Sequence, residues 1–229
     1  MTPKLDTAQQ HHANHEKHPK QDFQVERLAF FSDAVFAIAI TLLIIDIKVP
    51  KITKDSTSET VWVQLVDLRY SFFALLLSFT LIANYWIRHH FLFKHIHNYN
   101  RKTLIADMFV LLPIIFFPFT TAFFAESSEN KQVIILALRL FLLNNILSSL
   151  AIYTFYWMAI IKHKEMSFEM AIQEKITFTS DTLFTTIIFL IILLITFITE
   201  NFQIITWIII ISVTSKKIMD TLLKKRLKQ

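Results

Sequence analysis

The sequence predicts an all-α membrane protein, and three observations predict it. The 229 residues contain no glycine. Sheet-rich folds need glycine where turns require positive φ, so its absence favours long helices joined by short loops. The chain is 54% hydrophobic and 14% aromatic, with 23 Phe. Apolar runs of roughly 20 residues, the length that crosses about 30 Å of hydrocarbon, recur along it. Six such segments are expected, at roughly 25–48, 68–93, 103–125, 131–161, 176–198 and 202–222.

Residues 1–24 are polar and hold His11, His12, His15 and His18 among Gln, Lys and Pro. They carry no apolar h-region and so do not read as a signal peptide. The expectation is a disordered, His-rich cytoplasmic tail. A metal-binding tract is the other use of such histidines, but the composition is that of a solvated low-complexity segment.

The first span, 25–48, has an ionic entrance at Arg27 and Asp33, followed by twelve uncharged residues, Ala34–Ile45, in which Thr41 is the only hydroxyl. A charge inside a span is costly and calls for a partner. The second span, 68–93, follows an interfacial piece containing Trp62. The third contains Pro113 and Pro118, which are expected to kink it. The fourth carries Arg139, Asn144 and Asn145, with Asp46 or Asp67 as candidate partners for the arginine. The fifth is almost entirely Ile, Leu, Phe and Thr. The sixth leads into a basic tail, 223–229.

Lys and Arg concentrate at alternate ends of these spans. One side holds Arg27, Arg88, Lys94, Arg101, Lys102, Lys162, Lys164, Lys175 and the run from Lys216 to Lys228; the other holds little beyond Lys48, Lys51, Lys54 and Lys131. By the positive-inside rule both termini face the cytoplasm, as an even number of spans requires. The net charge of +5 is thereby a matter of topology, and no nucleic-acid partner is inferred. The basic end of the chain also suits contact with anionic lipid.

Composition removes several function classes. Without glycine there is no Rossmann or P-loop fingerprint and no glycine-containing carbonyl filter. Without cysteine there is no disulfide, thiolate chemistry or zinc cluster. No nucleophile elbow or metal quartet is present, so an enzyme is not expected and no cofactor is implied.

The first span runs outward and the second inward. Ser32 and Asp33 therefore lie at the depth of Trp86, His89 and His90. A carboxylate accepting from imidazole, indole or hydroxyl donors is the cheapest way to keep Asp33 inside the membrane. Asp107, near the start of the third span, has Lys102 or a histidine as candidate partner. At about 100° per residue, Ile38, Thr41, Leu42 and Ile45 share one face with Phe31 and Arg27 near the same line, while Asp33 falls about 140° from Ile38. Such an apolar stripe faces a pore, a packing seam or lipid. In each case Asp33 faces something else.

Arg27-x-x-x-Phe31-Ser32-Asp33, the run Ala34–Ile45, Trp86-x-x-His89-His90 and Pro118-Phe119-Thr120 together resemble the transmembrane protein 175 family of potassium channels, the lysosomal channel of animals and its bacterial relatives. The resemblance covers 25–222, a single six-span repeat as in bacterial members. It implies a homotetramer in the plasma (inner) membrane of a bacterium, with the first helix lining a central pore. It also implies constriction rings at Ile38, Leu42 and Ile45, a pore-facing hydroxyl at Thr41, and K+ as permeant ion. Arg27, Phe31, Ser32, Asp33, Trp86, His89 and His90 would form the polar network that holds the pore helix. One departure stands out: Asp107 occupies a place where a less charged polar residue is expected. The competing reading is a proton-coupled secondary transporter that relays protons through the His and Asp groups, although no paired halves with broken mid-membrane helices are visible.

Overall fold

The computed structural model describes residues 19–130 and 132–199. Residues 1–18 of the His-rich tail, the span expected at 202–222 and the basic tail 223–229 lie outside the described residues.

Every regular element described is helical: α1 Pro19–Leu42, α2 Ser58–Asp67, α3 Arg69–Phe93, α4 Arg101–Glu126, α5 Val133–Tyr156 and α6 Ile172–Ile198. A π-helical turn, Trp157–Lys162, extends α5. Among the described residues, four helical stretches are long and apolar enough to cross a membrane: α3, α4, α5 with its π-helical extension, and α6. These make the chain a multi-pass membrane protein. α1 is not among them, and Glu26, Arg27 and Asp33 along it are the physical reason.

The first span differs from expectation at both ends. The helix starts at Pro19 rather than near 25 and stops at Leu42 rather than near 48. Proline suits a first helical position because the N–H it lacks has no intrahelical partner there. Beyond Leu42 the chain tightens into three-residue turns, with Leu43 N–H on Ile40 O (3.3 Å), Ile45 on Leu42 O (3.1 Å) and Ile47 on Ile44 O (3.2 Å). Ile45 thus lies past the helix it was expected to belong to.

α2 is a short separate helix where an interfacial piece around Trp62 is expected. Thr57 caps it by accepting from Thr60 N, and the Thr60 hydroxyl accepts from Thr57 N in return. None of its residues is buried. Pro113 and Pro118 both lie within α4, which continues unbroken to Glu126.

α5 sits against both α4 and α6, and these are the most extensive contacts of the bundle. Small hydroxyl residues let the helices approach. Thr186 donates to Ser149 Oγ (2.7 Å), Ser149 donates to Thr182 O (3.1 Å), and Thr121 donates to Ser78 Oγ (2.6 Å). Arg139 does not pair with Asp46 or Asp67. Its Nη2 donates to Thr196 O (2.6 Å), its Nε to Thr196 Oγ1 (3.1 Å), and its guanidinium lies 4.1 Å from the Phe197 ring centroid. It thereby caps the last turn of α6, where carbonyls lack intrahelical donors. Arg139→Met keeps the stem and removes the donors. It should cost about 2 kcal/mol, in the range of hydrogen bonds to charged groups, read as earlier thermal unfolding in detergent; an unchanged midpoint would show that the cap contributes nothing.

At the end of the bundle where α3 stops and α4 starts, two loops are stitched together. His97 and Asn98 N–H donate to Met166 O (3.1 and 3.2 Å), and Phe168 N–H donates to His95 O (2.7 Å). This fixes the ends of α3 and α5 relative to each other, close to the polar cluster on α1, α3 and α4.

Candidate functional site: a two-faced helix and its buried anchor

α1 has two unlike faces. Val25, Leu28, Ser32, Phe36, Ala39 and Leu43 are buried. They recur every three or four residues, as one helical stripe against the bundle requires. α1 packs this stripe on α3 and α4. Ile38 is 57% exposed, Ile45 69%, Phe31 53% and Leu42 38%, so among the described residues the apolar stripe read from the sequence is left exposed. Thr41 is on that side too, its hydroxyl donating to Ile38 O (2.9 Å). A hydroxyl donating in this way keeps its lone pairs available to a cation.

The buried face ends in a polar anchor. Ser32 Oγ donates to Asp107 Oδ2 (2.7 Å), and Asp107 Oδ1 lies 2.6 Å from His89 Nε2. Ser32, His89 and Asp107 are each no more than 1% exposed. With Asp107 Oδ1 as the acceptor, the His89 proton on this side sits on Nε2. The rest of the imidazole is enclosed by Phe36, Phe93 and Phe155, with ring centroids 5.3, 4.8 and 5.5 Å away. His89 Nδ1 has no hydrogen-bond partner among the described residues.

Of the imidazole, indole and hydroxyl donors expected for Asp33, the indole is the one it meets. Asp33 is half-buried, and its Oδ1 accepts from Trp86 Nε1 (2.8 Å). Asp107, the residue that departed from the family pattern, is the carboxylate that joins three helices. The two acids divide the work: Asp107 ties α1 to α3 and α4 from within, and Asp33 ties α1 to α3 at the rim. Trp86→Phe removes the rim bond alone and should cost about 1 kcal/mol, the usual net worth of one hydrogen bond. The check is thermal unfolding of that variant beside Asp33→Asn, which retains an acceptor. A larger loss in the Asn variant would contradict the rim assignment.

Three expected members stand outside these hydrogen bonds. Arg27 is exposed, with its guanidinium 5.9 Å from the Phe23 ring centroid. Phe31 is exposed on the Ile38 side. His90 is exposed, its ring 5.5 Å from Trp86. The wheel signal that separated Asp33 from Ile38 also placed Arg27 and Phe31 on the Ile38 line, and there the structure leaves them. The role of Asp107 had a weaker signal in the sequence: one acid in an apolar run, at the same depth as His89.

A family profile described as the endosomal/lysosomal potassium channel TMEM175 matches residues 27–118, a stretch that includes both faces of α1 and all members of the anchor. Over 131 residues the chain is 34% identical to a potassium channel of Streptomyces collinus, covering 57% of this chain and 62% of that one. Over 116 residues it is 37% identical to a potassium channel of Chamaesiphon minutus, covering 50% and 55%. Over 99 residues it is 32% identical to the endosomal/lysosomal proton channel TMEM175 of Danio rerio, covering 41% and 19%. The chain thus spans somewhat over half the length of the two bacterial relatives. Its fold is similar to the crystal structure of a lysosomal potassium-selective channel TMEM175 homolog from Chamaesiphon minutus, with a TM-score of 0.65, 25% identity, and coverage of 82% of this chain and 98% of that one. A variant of the potassium channel MtTMEM175, solved with a nanobody fusion, shares the fold at a TM-score of 0.62 and 20% identity, covering 87% and 93%. The motif on α1, the anchor it packs against and the shared helical fold make the chain similar to the TMEM175 family over residues 27–118.

Proposed function

We propose that the chain is one subunit of a potassium-conducting channel, a homotetramer in the cell membrane of a bacterium, with α1 lining a central pore. The observation that supports this is the two-faced α1: a helix packed into its own bundle along one side has Phe31, Ile38, Thr41, Leu42 and Ile45 exposed, among the described residues, along the other. The names of the two bacterial relatives and of the Chamaesiphon minutus structure support potassium as the ion.

Ions would cross rings of aliphatic side chains at Ile38, Leu42 and Ile45. Such rings gate by width and wetting. A chain without glycine has no glycine-containing carbonyl filter. Discrimination therefore rests on pore radius and on the oxygens near Thr41, and is weaker than in filter-bearing channels. Ser32, Asp33, Trp86, His89 and Asp107 position the helix and stay out of the ion's path.

Flux from proteoliposomes under a potassium gradient tests this. The expected result is potassium movement that dissipates a membrane potential and proceeds with the pH equal on both sides. Flux that appears only with an opposing proton gradient would identify a proton-coupled carrier instead.

A further inference from the structure

Just past the apolar run stands one acid. Asp46 follows Ile45 directly, is exposed, and lies in the turns that continue α1 beyond Leu42. The nearest cation in sequence is Lys48, and it is engaged elsewhere: its Nζ lies 2.7 Å from Glu126 Oε1, at the far end of α4. The environment of Lys48 shows the same preference. Its pKa is raised first by the hydrogen bond to Glu126, then by the charge of Glu126, with Asp46 a minor contributor. Arg139, the other candidate partner, is committed to Thr196. The three charges Asp46, Lys48 and Glu126 leave one net negative charge, and pairing Lys48 with Glu126 leaves it on Asp46. The carboxyl-terminal carbonyls of α1 add partial negative charge at the same end.

Resting on the channel reading above, we propose that Asp46 is a specificity-determining residue: four copies form an outer ring of carboxylates that raises the local cation concentration at the mouth of the aliphatic constriction and repels anions. The Lys48–Glu126 pair keeps that ring from being neutralised. Rings of acidic side chains act in this way by focusing potential over the mouth, an effect screened by salt.

The chain has no cysteine, so Asp46→Cys supplies its only thiol. The variant is reconstituted in phosphatidylcholine vesicles, and the assembled protein is treated from outside with a sulfonate-bearing or an ammonium-bearing methanethiosulfonate; labelling is measured by mass. Potassium flux should fall about threefold on substitution at roughly 10 mM salt, and the difference should vanish near 1 M, where the Debye length is about 3 Å. The sulfonate should restore flux and the ammonium should lower it further. Equal effects of the two reagents, no effect despite full labelling, or a thiol that does not label would each overturn the ring. Absence of potassium flux in the unsubstituted protein is a different failure: it removes the channel reading and the ring with it.

Discussion

Asp107→Leu is expected to lower the stability of the folded chain by about 3–5 kcal/mol, the cost of breaking a buried pair by removing one partner. The carboxylate accepts from Ser32 at 2.7 Å and lies 2.6 Å from His89, with none of the three side chains more than 1% exposed. Its loss leaves the His89 N–H without its acceptor, enclosed by Phe36, Phe93 and Phe155, and leaves the Ser32 hydroxyl only the Leu28 carbonyl at 3.1 Å. For a chain of this length the loss corresponds to a fall of about 10 °C in unfolding temperature. Asp107→Asn should be milder: its amide oxygen can accept from Ser32, and His89 can change tautomer to accept from the amide nitrogen. Asp33→Asn should be milder still, since it retains an acceptor for Trp86 at the rim. The order Leu, then Asn at 107, then Asn at 33 is the expected ranking by thermal unfolding in detergent. Replacing Ser32, His89 and Asp107 together by Ala, Phe and Leu should recover much of the loss, because a buried polar set exchanged for apolar groups is often neutral. A single Asp107→Leu variant as stable as the parent would show that the anchor does not hold α1.

How much of this was readable from residues alone follows from what each signal depends on. The absence of glycine and the length of the apolar runs depend on composition, and α3, α4, α5 and α6 lie where those runs are. Periodicity is a local property too, so the division of α1 into an Ile38 side and an opposite side was legible. The end of α1 was not. Ala34–Ile45 is apolar throughout, and nothing in it marks Leu42 as the last helical residue before the turns at 43–47. The choice between Asp33 and Asp107 was also out of reach. Both acids are within reach of α3, and which one is buried depends on how deeply α4 sits between α1 and α5, a tertiary matter. Arg139 illustrates the same limit: its partner is a threonine 57 positions away on α6, and nothing in the sequence favours Thr196 over an acid.

Ile38→Asn is expected to raise potassium flux by roughly tenfold, with Ile38→Ala giving a smaller rise. An ion crossing a ring of aliphatic side chains sheds part of its water and gains no replacement oxygens there. Four amides in place of four isoleucines supply them, and a barrier lowered by about 1.4 kcal/mol is tenfold in rate. Alanine only widens the ring, which lets more water accompany the ion but offers no ligand. Both changes should also reduce discrimination between potassium and sodium, since a wider or wetter passage demands less dehydration. Neither should greatly affect folding: Ile38 is 57% exposed in the single chain and makes no part of the buried stripe. Leu43 provides the contrast. It lies five residues further along and is 3% exposed. Leu43→Ala should cost about 2–5 kcal/mol, as buried leucine truncations do, while leaving the reversal potential of the surviving channels where it was. Flux and reversal potential measured on all three variants separate the two faces of α1. If both Ile38 variants conduct and select as the parent does, the ring is not at Ile38. If Leu43→Ala shifts the reversal potential while Ile38→Asn does not, α1 is turned the other way in the assembled channel.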